Sequence, residues 1–299
     1  MNTIVYSSPY VPPEWIAAHG LEPERLIPGR SGEADGPVKA LEGVCPFMRL
    51  FLNAACGTPG VAGIVLATVC DQMRHAKDIL DRETTTPSFL LNVPSIWQTP
   101  AALGLYLAEL RRLGRFLETL GGAPPSTARL VEIMDRHDRL RANRAAPSPS
   151  GGTRGIPVAL LGGPLTRDDQ AIYTLVAEYG GRVMLDGTEQ GDRTNPARFD
   201  RRRLKDDPLG ELVSAYFGSI PDVFRRPNSE LFKWLEREVA ARDIRGVILA
   251  RQVWCDKWHA EVHRFQAWLK VPLLDVDLDG QPCGARTRTR IQAFMESLR

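Results

Sequence analysis

Five cysteines carry most of the chemistry this sequence offers, and three of them share one local setting. Cys70 and Cys255 each follow an apolar run, and each is followed by Asp and then by a helical stretch. Cys45 stands directly before Pro46, and Pro is favoured as the first residue of a helix. All three side chains are therefore expected at helix N-termini, where the dipole and the free N–H groups favour thiolate over thiol. Thiolate is the form that binds metal. Three thiolates from separate segments suit a four-iron cluster or a zinc ion with one coordination position left open. A single free cysteine is most often a small buried apolar side chain; the common setting distinguishes these three. Cys56, at a helix end among apolar residues, reads as core packing, and Cys283, in a loop, stands as a reserve ligand. His75 and His259, about one turn beyond Cys70 and Cys255, make zinc the chemical competitor. No Cys-x-x-Cys pair of the structural zinc type occurs, however, and both histidines are expected at the helix surface.

Ligands of open parallel sheets sit beyond the carboxyl ends of the strands, so the surrounding elements decide whether the cysteines meet. Short β-branched runs alternate with amphipathic stretches, the pattern of an α/β fold with parallel sheets covered by helices. In the first half the strands read Thr3–Tyr6, Gly63–Ala67 and Ser88–Asn92, and the helices Glu14–Ala18, Pro46–Ala55, Gln72–Asp81, Ala101–Leu120 and Ser126–Arg144. After Ala145–Gly155, rich in Pro, Ser and Gly, the alternation restarts with strands Pro157–Leu161, Arg182–Leu185, Gly246–Ala250 and Pro272–Val276. Helices are expected over Arg167–Tyr179, Leu209–Phe217, Ser229–Ala241, Lys257–Leu269 and Thr289–Ser297. The expected architecture is two Rossmann- or flavodoxin-like domains, 1–144 and 156–299, joined by a linker over 145–155. Their parallel sheets are expected to face each other across a cluster-binding cleft. A faint repeat supports the division, since the runs beginning at Gly63 and Gly246 both lead through strand and Cys-Asp into a helix.

The bulk composition narrows the function classes. With 299 residues, 43% hydrophobic and 25% charged, the chain resembles an ordinary globular protein, and it has no apolar run of membrane-spanning length. The first residues lack the charged and apolar regions of a secretion signal, so a cytoplasmic location without disulfides is expected. A net charge of +2 gives no general attraction to nucleic acid. Dinucleotide, P-loop and hydrolase-elbow motifs do not occur.

Several short segments, in order, carry a resemblance. They are Pro13-Glu-Trp-Ile16 with Gly20-Leu-Glu-Pro23, read as a helix and a turn; Cys45-Pro-Phe47; Thr68-Val-Cys-Asp-Gln-Met-Arg74; and Leu161-Gly-Gly-Pro-Leu165. Asp186-Gly-Thr-Glu-Gln-Gly-Asp-Arg193, Gln252-Val-Trp-Cys-Asp256 and Arg288-Thr-Arg-Ile-Gln-Ala-Phe294 complete the set. Together they resemble the 2-hydroxyacyl-CoA dehydratase family, which includes benzoyl-CoA reductase subunits. The resemblance implies that Cys45, Cys70 and Cys255 hold one 4Fe–4S cluster with its fourth iron site open. It implies an acyl-CoA substrate, a related iron–sulfur partner subunit and an ATP-dependent iron–sulfur activator. One electron then reduces the thioester carbonyl to a ketyl radical that expels a hydroxyl group, or electrons enter an aromatic ring. The expected activity is therefore that of a lyase or an oxidoreductase subunit; the alternative is a non-catalytic electron-transfer or partner subunit. The loop after Asp186 is expected at the cleft, with Glu189 as proton donor or acceptor and Arg193 as anion partner. The bland alternative is a solvated polar loop. Asp71 and Asp256 are expected to cap their helices, with Arg74 paired to Asp71. The chain is shorter than the family's subunits at Ala145–Gly155, and Arg286, where the family has Gln, adds a cation near the cleft.

Overall fold

The computed structural model describes residues 2–30, 36, 43–144, 155–281 and 283–299. The expected linker therefore lies outside the described residues except for Gly155. In each half, apolar strands too hydrophobic to face water are covered by the helices that connect them. The first half runs β1 (Thr3–Tyr6), α1 (Pro13–Ala18), β2 (Glu22–Arg25), α2 (Pro46–Gly57), β3 (Val61–Ala67), α3 (Asp71–Glu83), β4 (Ser88–Leu91), α4 (Pro100–Thr119) and α5 (Thr127–Arg144). The second runs β5 (Ile156–Gly162), α6 (Ala171–Glu178), β6 (Gly181–Gly187), α7 (Arg201–Asp206), α8 (Pro208–Tyr216) and α9 (Ser229–Ala241). It ends with β7 (Gly246–Gln252), α10 (Asp256–His259), α11 (Val262–Trp268), β8 (Leu273–Leu278) and α12 (Ala285–Ser297). Among the described residues, no helix is long and apolar enough to cross a membrane.

All strand pairs are parallel, and the two sheets share one strand order: β2-β1-β3-β4 and β6-β5-β7-β8. The fold is α/β with two sheets, consistent with Rossmann- or flavodoxin-like halves. β3 and β7 are the third strands of their sheets, so Cys70 and Cys255 follow equivalent strands. The strand β2 occupies a stretch read as a turn. Its sequence, Glu-Pro-Glu-Arg, shows no apolar alternation because it forms an edge, where Pro23 breaks no interior ladder. The expected helix Lys257–Leu269 is two helices, α10 and α11, separated at Glu261, a buried acid that Asn228 holds at 2.8 Å.

Each sheet has apolar cores on both faces. Phe47, Phe51 and Leu80 pack on Ile64 and Leu66 on one side of the first sheet. Tyr106, Leu110 and Leu113 pack on Val65 on the other. Into that second core come residues from beyond the linker: Phe199, Leu212, Val213, Tyr216, Phe217 and Phe224. The sheets thus divide on either side of 145–155, whereas the apolar core does not.

Two buried charges fasten this crossing. Glu14 of α1, fully buried, is ion-paired to Arg141 of α5 and accepts the Tyr216 hydroxyl of α8 at 2.7 Å. Arg225, also fully buried, donates to the carbonyls of Phe217 at 2.7 Å and Pro94 at 3.3 Å. Its guanidinium lies 4.3–5.1 Å from the ring centroids of Phe217, Tyr10, Trp97 and Phe224.

Gly162, at the end of β5, shows why the Gly-Gly-Pro segment is glycine-rich. Its φ is +153°, and a Cβ there would meet the Ala250 carbonyl oxygen of β7 at 1.8 Å. Gly162→Ala is expected to force β5 and β7 apart at their carboxyl ends and to lower stability by about 3 kcal/mol. Urea unfolding checks this, and a loss within experimental error would contradict the close approach.

Candidate functional site

The carboxyl ends of both sheets open onto one cavity. Ser7 and Ser8 follow β1, Val69 and Cys70 follow β3, Pro164 follows β5, Glu189 follows β6, and Gln252 ends β7; all line it, with Cys45, Cys255 and Lys257. These are the strand ends at which an open α/β sheet binds its ligands.

The three cysteines come from three helix starts. Each is the residue preceding its helix: Cys45 before α2, Cys70 before α3 and Cys255 before α10. Gln72 ties two of these starts together, accepting the Cys45 amide at 3.1 Å and donating to the Gly43 carbonyl at 3.0 Å. Before Cys255, Trp254 takes φ +66°, a left-handed conformation costing a bulky residue about 1–3 kcal/mol. With the Cys255 amide on the Gln252 carbonyl at 3.1 Å, this tight turn leaves Gln252 and Cys255 on the same wall.

In the protein alone, burial opposes the bias toward thiolate that the helix-start amides supply. Burial pushes the Cys70 and Cys255 thiols up to about 12 and raises Cys45 as well. The amides of Met73, Trp258, Met48 and Phe47 pull downward, but less strongly. No ordinary cap hydrogen bond closes on any of the three. Removal from water therefore outweighs the helix starts, and only a bound cation would restore the charged form. Among the described residues, no group of three or more His, Cys, Asp or Glu side chains is placed to hold a metal ion.

The donor chemistry fits an iron–sulfur cluster. Three thiols from separate segments face one largely apolar cavity, and the helix amides beside them favour charge on sulfur. His75 and His259 are exposed and do not line the cavity. Cys56, in the last turn of α2, is half-buried and packs against the apolar core. Cys283 lies in a separate hollow with Arg286 and Arg290, beside β8 and α12. The structure therefore brings neither Cys283 nor Arg286 to the three cysteines. Asp71 and Asp256 fall inside the first turns of α3 and α10, because the cysteines occupy the cap positions. Asp71 pairs with Arg74 at 3.5 Å.

Glu189 is brought to the cavity by backbone contacts from both halves. Its amide donates to the Gly163 carbonyl at 3.2 Å, while its carbonyl accepts Arg25 Nη2 at 2.5 Å and Thr194 Oγ1 at 2.9 Å. Burial, and then Asp222, push its carboxyl up to about 7, against the opposing pull of Arg193 and Arg25.

Arg193 does not stand free as an anion partner. It is 1% exposed and donates to the carbonyls of Gly187 at 2.8 Å, Pro221 at 3.0 Å and Gly162 at 3.2 Å. Its ion pair with Asp222 measures 2.5 Å. Burial works against its charge, but Asp222 and Glu189 outweigh that and raise its pKa. These bonds make Arg193 a brace for the ends of β5 and β6.

Lys257, Gln252 and Asp222 were not singled out from the sequence. Lys257 lines the cavity and, among the described residues, makes no ion pair or hydrogen bond. Its place two residues after Cys255 is the signal that could have marked it.

A family model described as 2-hydroxyglutaryl-CoA dehydratase, D-component, matches residues 9–147 and again 143–298. No curated protein matches the chain. Among solved structures, a Mn-bound periplasmic metal-binding protein from Candidatus Liberibacter asiaticus aligns over 100% of both chains at 9% identity. The TM-score is 0.26.

Proposed function

The chain belongs to the 2-hydroxyglutaryl-CoA dehydratase D-component family, and from that premise we propose that it is an iron–sulfur component of an acyl-CoA dehydratase or benzoyl-CoA-reductase-type enzyme. The observation that supports this reading is the meeting of Cys45, Cys70 and Cys255 at one cavity beyond both sheets. In the proposal these three side chains hold a 4Fe–4S cluster with an open fourth position. When bound, the cluster supplies single electrons at low potential to an acyl-CoA thioester. The partners that go with this are a related iron–sulfur subunit and an ATP-dependent activator, in the cytoplasm.

The chain's own residues bind, brace and move protons. A hydroxyl group that leaves as hydroxide needs a proton, and Glu189, carried to the cavity by the turn after β6, is suited to give it near neutral pH. Arg193 holds that turn to β5 and to Asp222. Lys257 presents an ammonium to an anionic or carbonyl oxygen of the ligand.

The test is turnover of 2-hydroxyglutaryl-CoA by anaerobically assembled protein, with a related subunit and an activator. Thioester binding without turnover would support a non-catalytic partner; absence of both cluster and binding would remove the reading. Glu189→Gln is expected to lower turnover by about 10²–10⁴-fold. Because the folded pKa lies above the ordinary value of 4.5, the acid form persists to about 7, and activity should fall as pH rises through that point. By the same linkage, wild-type stability declines as pH rises from about 4.5 to 7, and Glu189→Gln should flatten that decline. Turnover and urea midpoints measured across this range check both.

A further inference from the structure

The last residue of β7 lines the cysteine cavity and carries a buried hydrogen-bond acceptor that no group among the described residues meets. Gln252 is 1% exposed and lines the cavity with Glu189 and Cys255. Its amide nitrogen donates to the Pro164 carbonyl at 3.2 Å and to Asp169 Oδ2 at 2.9 Å, which uses both of its protons. Turning the amide over would set its oxygen against these two acceptors, so the partners fix its orientation. Asp169 is itself held, fully buried, by the Thr166 amide at 2.8 Å, while its own amide donates to Thr166 Oγ1 at 3.1 Å. Gln252 Oε1 is left buried with no hydrogen-bond partner among the described residues.

Metal-bound cysteine sulfurs are acceptors and would not supply the missing proton. Lys257 is a donor on the same wall, but it makes no hydrogen bond to this oxygen. A ligand that carries an O–H or N–H into this cavity would satisfy Oε1.

We infer that Gln252 reads the hydroxyl group of the substrate. Its Oε1 accepts the hydrogen bond of a 2-hydroxyl on the acyl chain, and Asp169 is the positioning residue that aims it. This rests on the acyl-CoA reading above and adds to it a residue that separates hydroxylated from unhydroxylated thioesters. A site with a fixed buried acceptor rejects the analogue lacking the donor, because binding that analogue seals the acceptor away unpaired.

The experiment compares 2-hydroxyglutaryl-CoA with glutaryl-CoA by calorimetry on protein assembled without oxygen, and 2-hydroxyglutarate with glutarate by ligand-observed NMR. Wild type is expected to prefer the hydroxylated member of each pair by on the order of 10- to 100-fold. Gln252→Met should bring that ratio to within about twofold while glutaryl-CoA binds as well as before. Asp169→Ala, which leaves Gln252 free to turn, should lower the ratio several-fold, and Asp169→Asn should restore it. If the thioesters bind without hydroxyl preference, or the preference survives Gln252→Met, the assignment is overturned and the acyl-CoA reading stands. If the thioesters do not bind but the free hydroxy acid is still preferred through Gln252, the acyl-CoA reading fails and the assignment stands. Failure of both pairs to bind overturns both.

Discussion

Cys45→Ala, Cys70→Ala and Cys255→Ala, each prepared without oxygen, are expected to lose most of the iron and acid-labile sulfide that wild type holds. Each sulfur comes from a different helix start, so no neighbouring thiol can replace the one removed. Even a lost outer partner of a metal ligand lowers affinity about 10- to 100-fold, and a lost ligand should cost at least as much. Cys56→Ala and Cys283→Ala are the controls, since one side chain packs against the core from the last turn of α2 and the other lies in the hollow with Arg286. Iron and sulfide content, with electronic and spin-resonance spectra, decides the matter. Full retention in the first three variants would end the cluster proposal, and loss in either control would move it to other cysteines.

Arg225→Ala is expected to lower stability by about 3–5 kcal/mol, the loss of an aromatic-sized core side chain. The guanidinium fills a cage of four aromatic rings and meets two backbone carbonyls, one in each half. Its removal leaves a void and two carbonyls unmet at once. Arg225→Met, which fills the cage without bringing charge out of water, should lose less than half as much. Urea midpoints for the two variants are the measurement. A loss under about 1 kcal/mol in Arg225→Ala would show that the cage does not hold the halves together.

What the sequence showed of all this was what lies within a few residues. A cysteine after an apolar run and before Asp and a helix is a local pattern, and it led to Cys70 and Cys255; Pro46 marked Cys45 in the same way. Parallel strands were legible because burial on both faces leaves an apolar run, while β2 at an edge had no such mark. Pairings across long stretches were not legible. Arg193 looked available because nothing near it in sequence shows that Asp222 and three carbonyls take its donors. Gln252 was legible only as part of the segment leading to Cys255, because Asp169, which aims it, is 83 residues away. Arg286 and Cys283 follow β8 closely, but the loop turns them into a different hollow. An amphipathic α8 announces an apolar face without saying which sheet receives it.

That crossing of α8 also sets an order of events during synthesis. The core of the first half lacks Phe217 and Phe224 until the ribosome has passed them, so it cannot close when the first sheet emerges. Once closed, it presents Cys45 and Cys70 while Cys255 is still thirty-one residues behind Phe224. The nascent chain thus offers two sulfurs before three, so the proposed three-sulfur site is complete only after translation has moved well into the second sheet.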